Sequence, residues 1–132
     1  MTHDGDGRPL VLVADNEEDI VALVSFKLER EGYEVVGACD GEEALELIRE
    51  RHPHVALLDV HMPKLDGYEV TREIRQDESL RSTPVIILSA SVKESDIAAS
   101  FEAGADDHLK KPFSPASLAS RVGALLEGTE DR

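Results

Sequence analysis

Short apolar runs alternate along the chain with longer segments in which apolar side chains recur every three or four positions. Five runs have the length of a strand: 10–14, 33–39, 55–58, 85–88 and the weaker 108–110. Between them, apolar residues follow helical spacing, as at 20, 23, 24 and 28. Because the strand runs are almost continuously apolar, they are typical of a parallel sheet that is covered on both faces. The pattern predicts a doubly wound α/β fold with five strand–helix units.

Helix-capping residues mark most of the predicted helix boundaries. A capping oxygen stands three residues before a Glu in Asp40 with Glu43, Asp66 with Glu69, and Ser91 with Glu94. Ser114 before Pro115 predicts another helix start, and Gly32 and Gly104 stand where helix C-terminal caps are expected.

Length and composition fit one domain. The chain has 132 residues, of which 41% are hydrophobic, enough for a single core. We expect this domain to span 8–127, with loose polar termini at 1–7 and 128–132. The single Cys39 ends an apolar run, which favours a small core residue.

The charge balance excludes several classes of function. The formal net charge is −14, and the basic residues are scattered among twice as many acids. Direct binding to nucleic acid or to an anionic membrane surface is therefore not expected. Neither a secretory signal nor an apolar stretch of spanning length is present in the sequence, so we expect a cytoplasmic protein.

Polar residues end four of the predicted strands. Asp15 and Asn16 follow the first run, Asp59 the third, Ser89 the fourth, and Lys111 the fifth. In an open α/β sheet these strand ends converge on one edge, where ligands bind. Two carboxylates and an amide oxygen favour Mg²⁺, and a Lys and a hydroxyl nearby suit phosphoryl oxygens. Asp59 is then the candidate nucleophile.

Four motifs carry a resemblance to a known family. VLVADN, LLDVHMPKLDG, ILSA and DDHLKKPF occur in that order over nearly the whole chain. Together they resemble the response-regulator receiver domain of two-component signalling, which has the CheY-like fold. The resemblance implies a flavodoxin-like sheet with strand order 2-1-3-4-5.

The resemblance also implies roles for individual residues. Asp59 would accept a phosphoryl group from a phosphohistidine on a sensor histidine kinase or a histidine phosphotransfer protein, with Mg²⁺ as cofactor. The metal ligands would be Asp15, Asn16, Asp59 and the backbone carbonyl of His61. Ser89 and Lys111 would contact the phosphoryl oxygens, and the Lys111–Pro112 bond would be cis.

The resemblance also implies that phosphorylation changes the surface around strand 5. His108 matches the family's aromatic switch position, and the surface of helix 4, strand 5 and helix 5, about 92–126, would meet a downstream protein. A phosphorylation-dependent homodimer through Asp106, Asp107 and Arg121 on this surface is a further expectation. The chain would be a regulatory phosphoacceptor that assists its own phosphorylation and dephosphorylation, and not an enzyme acting on other substrates.

Three residues depart from the family pattern. Asn16 replaces a second acidic residue; it is a metal ligand through its amide oxygen, the N-cap of helix 1, or both. His108 replaces a more usual Tyr or Phe, and is either a titratable switch or a plain strand residue. The side chain of His61 either alters the access of water to the phosphoryl group or is simply solvent-exposed.

Other functions remain open on the sequence alone. A receiver-like interaction module would act without phosphorylation, and Asn16 would be the first step in losing the ability to be phosphorylated. A Mg²⁺-dependent phosphohydrolase needs an acid two residues after the nucleophile, where this chain has His61. A metal site at His52 and His54 lacks a third ligand in the sequence.

Overall fold

A computed structural model describes residues 7–130, with side chains described to residue 127. Strands and helices alternate strictly. In chain order they are β1 (Leu10–Ala14), α1 (Glu18–Arg30), β2 (Glu34–Ala38), α2 (Gly41–Arg51), β3 (Val55–Asp59), α3 (Gly67–Gln76), β4 (Val85–Ser89), α4 (Glu94–Ala103), β5 (Asp107–Lys110) and α5 (Pro115–Glu130).

The five strands form one sheet in the order β2-β1-β3-β4-β5, and every neighbouring pair is parallel. The predicted doubly wound, flavodoxin-like class and its strand order are confirmed. The order reverses beside β1, so the carboxyl ends of β1 and β3 lie next to each other at the centre of the sheet. This is the place where an open α/β sheet holds its ligands.

Side-chain alternation along the central strands divides the core into two layers. Leu12, Leu58 and Ile87 pack with α2 and α3 on one face of the sheet. Val13 and Leu57 pack with α1 and α5 on the other face. All residues of β1, β3 and β4 are buried, which explains their nearly unbroken apolar sequences.

Several predicted helix boundaries are confirmed. The Asp40 side chain accepts the Glu43 N–H at the start of α2, and Asp66 and Glu69 form a reciprocal capping box at the start of α3. Ser114 Oγ accepts the Ser117 N–H at the start of α5. At the other ends, Gly104 is the left-handed C-cap of α4, and Gly32, at φ 97°, follows the C-cap of α1.

Two predicted caps and one predicted core residue are wrong. Lys93 is the N-cap of α4, because the Ser91 hydroxyl accepts the Lys93 N–H and shapes the loop before the helix. Glu17, and not Asn16, is the N-cap of α1. Cys39 is exposed, because it follows the last residue of the edge strand β2 and leaves the core there.

The ends of the chain are only partly described. Helix α5 runs to Glu130, beyond the predicted domain boundary at 127. Residues 1–6 and 131–132, which belong to the predicted loose termini, lie outside the described residues. Among residues 7–130, no helix has both the length and the hydropathy needed to cross a membrane.

Candidate functional site

Two buried carboxylates lie at the carboxyl edge of the sheet. Asp59 is the last residue of β3, and Asp15 directly follows β1. The sheet carries both into the interior, where Asp15 is 0% exposed and Asp59 is 4% exposed. Burying charge is costly unless it is paired, so this pair needs a cation.

Lys111 brings an ammonium group to the pair. Its Nζ lies 2.8 Å from Asp15 Oδ2 and 3.2 Å from Asp59 Oδ1. The Lys111–Pro112 peptide is cis, as the resemblance implies. Asp15 Oδ1 accepts the Glu17 N–H at 2.9 Å, whereas buried Oδ2 is close enough to Lys111 for an ion pair but lacks hydrogen-bond geometry.

The pKa values of the site reflect this crowding. Burial raises the pKa of Asp59, and the Asp15 charge raises it further, while Lys111 and His61 only partly oppose these effects. Burial by itself lowers the pKa of Lys111, but the contact with Asp15 and the charges of both carboxylates outweigh it and raise that pKa overall. One ammonium therefore leaves excess negative charge at this edge.

Ser89 ends β4 beside β3 and is buried. Its Oγ accepts the Ser91 N–H at 3.0 Å, and its backbone carbonyl accepts the Lys111 N–H at 2.7 Å. The second bond ties the end of β4 to the residue that carries the site's ammonium group. The Ser89 hydroxyl retains a proton that it can donate to a ligand.

The donor atoms around Asp15 and Asp59 fit Mg²⁺. A hard cation suits two adjacent carboxylates, one with a buried oxygen that makes no hydrogen bond, and it would offset the charges that raise the pKa of Asp59. The Asn16 side chain is exposed immediately after Asp15. The His61 side chain is also exposed, which agrees with the interpretation of His61 as a solvent-exposed residue.

His108 lies against α4. Its Nδ1 is 2.9 Å from Ser100 Oγ, and Ser100 is completely buried. The Ser100 hydroxyl also donates to the Asp96 carbonyl, an arrangement that suits an Nδ1–H donor on His108. His108 Nε2 is buried and has no hydrogen-bond partner among the described residues. The imidazole is thus held between β5 and α4.

Sequence reasoning missed Glu17 as part of the site. Its Oε1 lies 3.6 Å from Lys111 Nζ. The acidic run 17–19 stands at the start of a predicted helix, where interaction with the positive helix end is a sufficient explanation for it. The available signal was its position, two residues after Asp15 at the same strand end.

Sequence reasoning also missed a groove beside the site. It has a volume of about 450 Å³, and it is lined mainly by apolar side chains of α1 and of the segment before α5. Lys111 lines it too, so the groove adjoins Asp59. Leu23, in its wall, is half exposed.

The second metal site considered from sequence is not supported. His54 Nδ1 accepts the Leu10 N–H at 3.0 Å, which occupies that nitrogen at the start of β1. Across the described residues, His, Cys, Asp and Glu side chains nowhere form a group of three or more that could hold a metal ion.

Comparison with known proteins identifies the family. The model of the response regulator receiver domain matches residues 11–123. The chain therefore belongs to the receiver domain family of two-component response regulators. It is 45% identical over 120 residues to the alkaline phosphatase synthesis transcriptional regulatory protein PhoP of Bacillus subtilis, covering 91% of this chain and 49% of that protein.

A second relative, the probable transcriptional regulator ycf27 of Cyanophora paradoxa, is 45% identical over 121 residues, covering 92% of this chain and 49% of that protein. The chain thus spans about half the length of these curated relatives. Among solved structures, the receiver domain of the Francisella response regulator 1452 has 38% identity and a TM-score of 0.86, with 92% of this chain and 99% of that chain covered. The BeF3-activated DrrB receiver domain, a second solved structure, has 37% identity and a TM-score of 0.82, with 91% of this chain and 98% of that chain covered.

Proposed function

We propose that the chain is a phosphorylation-switched signalling module that accepts a phosphoryl group on Asp59. The observation that carries this proposal is the buried Asp59 carboxylate, 3.2 Å from Lys111 and beside Asp15. A structural aspartate at a strand end has no need of a second buried carboxylate that raises its pKa. A nucleophile that must react with an anion does need such a polarised, cation-binding surrounding.

The transfer is a displacement at phosphorus. An Asp59 carboxylate oxygen forms the new O–P bond while the N–P bond of a donor phosphohistidine breaks. The electron pair stays on the imidazole nitrogen, which takes up a proton. Lys111 balances charge on the phosphoryl oxygens, and the Ser89 hydroxyl donates a hydrogen bond to one of them.

Mg²⁺ would be held by the carboxylates of Asp15 and Asp59, the Asn16 amide oxygen and the His61 backbone carbonyl. When bound, it supplies positive charge that offsets the repulsion between the carboxylates and the incoming phosphoryl group. Asp15 acts by keeping its carboxylate fixed through the Glu17 N–H. Asp59 acts by presenting an unprotonated oxygen to the donor.

Ser89 and His108 would transmit phosphorylation to the surface that meets a downstream protein. A Ser89 hydroxyl that turns toward the phosphoryl group loosens its bond to the Ser91 N–H, which shapes the loop before α4. His108 is bonded to the same helix through Ser100, so a shift of α4 is transmitted to β5. The resulting change is a shift in populations at the surface of α4, β5 and α5, which would regulate a downstream protein.

The phosphodonor is a sensor histidine kinase or a histidine phosphotransfer protein. Residues 8–127 are the proposed domain, acting as a phosphoacceptor that assists its own phosphorylation and dephosphorylation.

The phosphohydrolase alternative lacks a carboxylic acid two residues after Asp59, where His61 stands. Because the curated relatives are named as transcriptional regulators, a role in transcription is the proposed context, with any DNA contact made outside this acidic chain.

Intact mass after incubation with acetyl phosphate tests the proposal. We expect a gain of one phosphoryl group that needs Mg²⁺ and is lost in Asp59→Asn. Asp19→Asn is the matched control, because it changes an exposed carboxylate in the first turn of α1, and it should still be labelled. No gain with this donor or with a phosphorylated histidine phosphotransfer protein would instead favour an interaction module that acts without phosphorylation.

A further inference from the structure

Glu17 connects to the site through both its backbone and its side chain. Its N–H donates to Asp15 Oδ1 at 2.9 Å, which fixes the orientation of that carboxylate. This bond leaves Asp15 Oδ2 as the buried oxygen without a hydrogen bond. Glu17 therefore orients the Asp15 carboxylate, whose Oδ2 has Lys111 as an ion-pair partner but no hydrogen bond among the described residues.

The Glu17 side chain makes no capping hydrogen bond to its own helix, although Glu17 is the N-cap residue of α1. Instead, Oε1 lies 3.6 Å from Lys111 Nζ, the atom that also lies 2.8 Å from Asp15 Oδ2. The two carboxylate oxygens can thus be no farther apart than the sum of these distances.

Counting formal charges shows what Glu17 contributes. Asp15, Asp59 and Glu17 carry three negative charges around the single positive charge of Lys111. The formal charges of these four side chains add up to −2, which matches one divalent cation. Without Glu17 the sum is −1, because residue 16 is the neutral Asn16.

We propose that Glu17 supplies the acidic charge that Asn16 does not carry, by accepting hydrogen bonds from water bound to Mg²⁺. Mg²⁺ keeps several of its waters when proteins bind it, so a carboxylate just outside the ligand shell can contact them. The Glu17 side chain is 65% exposed, as a group that reaches across a layer of water would be. Outer partners of this kind orient metal ligands and change metal affinity.

This inference rests on the proposed function, since it assumes that the site takes Mg²⁺. Its test is therefore Mg²⁺ affinity by titration calorimetry, with no phosphodonor present. We expect Glu17→Gln to weaken the affinity about tenfold, the lower end for outer-shell partners, because water screens an exposed carboxylate. Glu18→Gln removes the same charge from the adjacent exposed residue of α1 and should change the affinity less than about twofold.

A double-mutant cycle separates compensation from a general effect of charge. In an Asn16→Asp background, the loss caused by Glu17→Gln should shrink to less than about twofold, because residue 16 then carries the missing charge. Equal losses from Glu17→Gln and Glu18→Gln would overturn the inference. So would the same loss from Glu17→Gln in both backgrounds.

Phosphorylation by acetyl phosphate keeps the two proposals distinguishable. If the wild type is labelled on Asp59 but Glu17→Gln leaves Mg²⁺ affinity unchanged, only the role of Glu17 fails. If the wild type binds Mg²⁺ and is never labelled, the proposed function fails, while the calorimetric cycle still decides the role of Glu17. If the wild type does not bind Mg²⁺, both fail.

Discussion

The Asp59 carboxylate is less stable in the folded protein than in water, because it is buried beside Asp15. Lys111 offsets only part of this cost, since the same ammonium also serves Asp15. The proposed function accounts for this shortage of positive charge, because a site left with excess negative charge attracts Mg²⁺ before the phosphoryl group arrives. The fold therefore tolerates a local loss of stability for the sake of function.

Replacing Asp59 with Asn should stabilise the metal-free protein. Removing a buried charge whose pKa is raised favours folding, and we expect the free energy of unfolding at pH 7 to rise by about 1 kcal/mol. The penalty in the wild type is fully present above the raised folded pKa. It disappears as the pH falls through that value toward the ordinary pKa of Asp.

Urea denaturation of both proteins without Mg²⁺, at a series of pH values, measures this difference. The gap between the two proteins should close as the solution becomes acidic. A less stable Asp59→Asn variant at pH 7 would show that the Lys111 contact outweighs burial and repulsion. Mg²⁺ should reduce the gap by stabilising the wild type.

Single residues of the site were predictable where strand ends determine their place. Asp15, Asp59, Ser89 and Lys111 each follow or end an apolar run, and parallel strands bring such residues to one edge. Glu17 was not predictable in this way, because its role depends on a side-chain direction across the loop toward Lys111. Likewise, nothing in the sequence pairs His108 with Ser100.

Elements position the site through close backbone packing. A Cβ at Gly67 would lie 2.5 Å from the backbone oxygen of Asp59, so α3 starts directly against the end of β3. The capping box of Asp66 and Glu69 fixes the same helix start. Together they hold the loop that carries His61.

Gly67→Ala should therefore damage both stability and phosphorylation. Because the clash is with backbone, α3 must move, and we expect a loss of about 2 kcal/mol in the free energy of unfolding. Gly123→Ala is the control, since a Cβ there meets only the Tyr33 hydroxyl at 3.7 Å and the residue lies within α5. That variant should be neutral or more stable by up to about 1 kcal/mol. Thermal unfolding and labelling by acetyl phosphate measure both effects, and a Gly67→Ala protein as stable as Gly123→Ala would contradict this packing.

Helix α1 lines an apolar groove on which a protein donor could dock. The apolar groove has Lys111 in its lining and half-exposed Leu23 in its wall. In the proposed function a donor helix would bring its phosphohistidine to Asp59, and the groove includes Lys111, which contacts that residue. Acetyl phosphate needs no such surface.

Leu23→Ser should slow phosphotransfer from a histidine phosphotransfer protein at least about tenfold, the cost of losing more than 1 kcal/mol of apolar contact. Labelling by acetyl phosphate should be unchanged. Phe101→Ser, an equally exposed apolar residue on α4, should leave both reactions unchanged. Equal slowing with both donors would place the defect in the site and not in docking.

At the scale of elements, most helix starts were predictable because their caps are local. The wrong start of α4 shows the limit of that rule. Ser91 fits the spacing pattern with Glu94, but its hydroxyl donates to Asp96 and accepts from Lys93 N–H. These bonds depend on the shape of the loop after β4, which spacing alone does not describe.

The whole molecule carries a formal net charge of −14, and this charge opposes self-association. Two ion pairs within the chain also occupy charged side chains that a homodimer interface would need. Arg121 contacts Asp107 at 2.8 Å and Arg75 contacts Asp106 at 2.9 Å within the chain. The residues expected to pair across a homodimer are thus already engaged.

The unphosphorylated chain should be a monomer in sedimentation analysis. A phosphorylation-dependent homodimer stays a prediction, and it should strengthen as salt screens repulsion between the two acidic chains. Velocity runs with and without beryllofluoride, at low and at physiological ionic strength, test both points. A dimer without the phosphoryl analogue, or one weakened by salt, would contradict the role assigned to net charge.

The fold class was predictable because the alternation of strand and helix periods is strong, and the strand order was predictable because the family resemblance spans nearly the whole chain. The exposure of Cys39 was not predictable from a run of apolar letters. It depends on β2 being an edge strand, a property of the assembled sheet. The extent of α5 to Glu130 likewise exceeds what the polar sequence after 127 indicates.

In the proposed reaction Asp59 itself forms the acyl phosphate. Reduction of the labelled protein with borohydride converts a phosphorylated aspartate to homoserine, and peptide sequencing by mass spectrometry locates it. We predict homoserine at residue 59 alone, and only when Mg²⁺ and acetyl phosphate were both present. Homoserine in place of another aspartate, or a phosphorylated protein with no homoserine at 59, would rule out Asp59 as the acceptor.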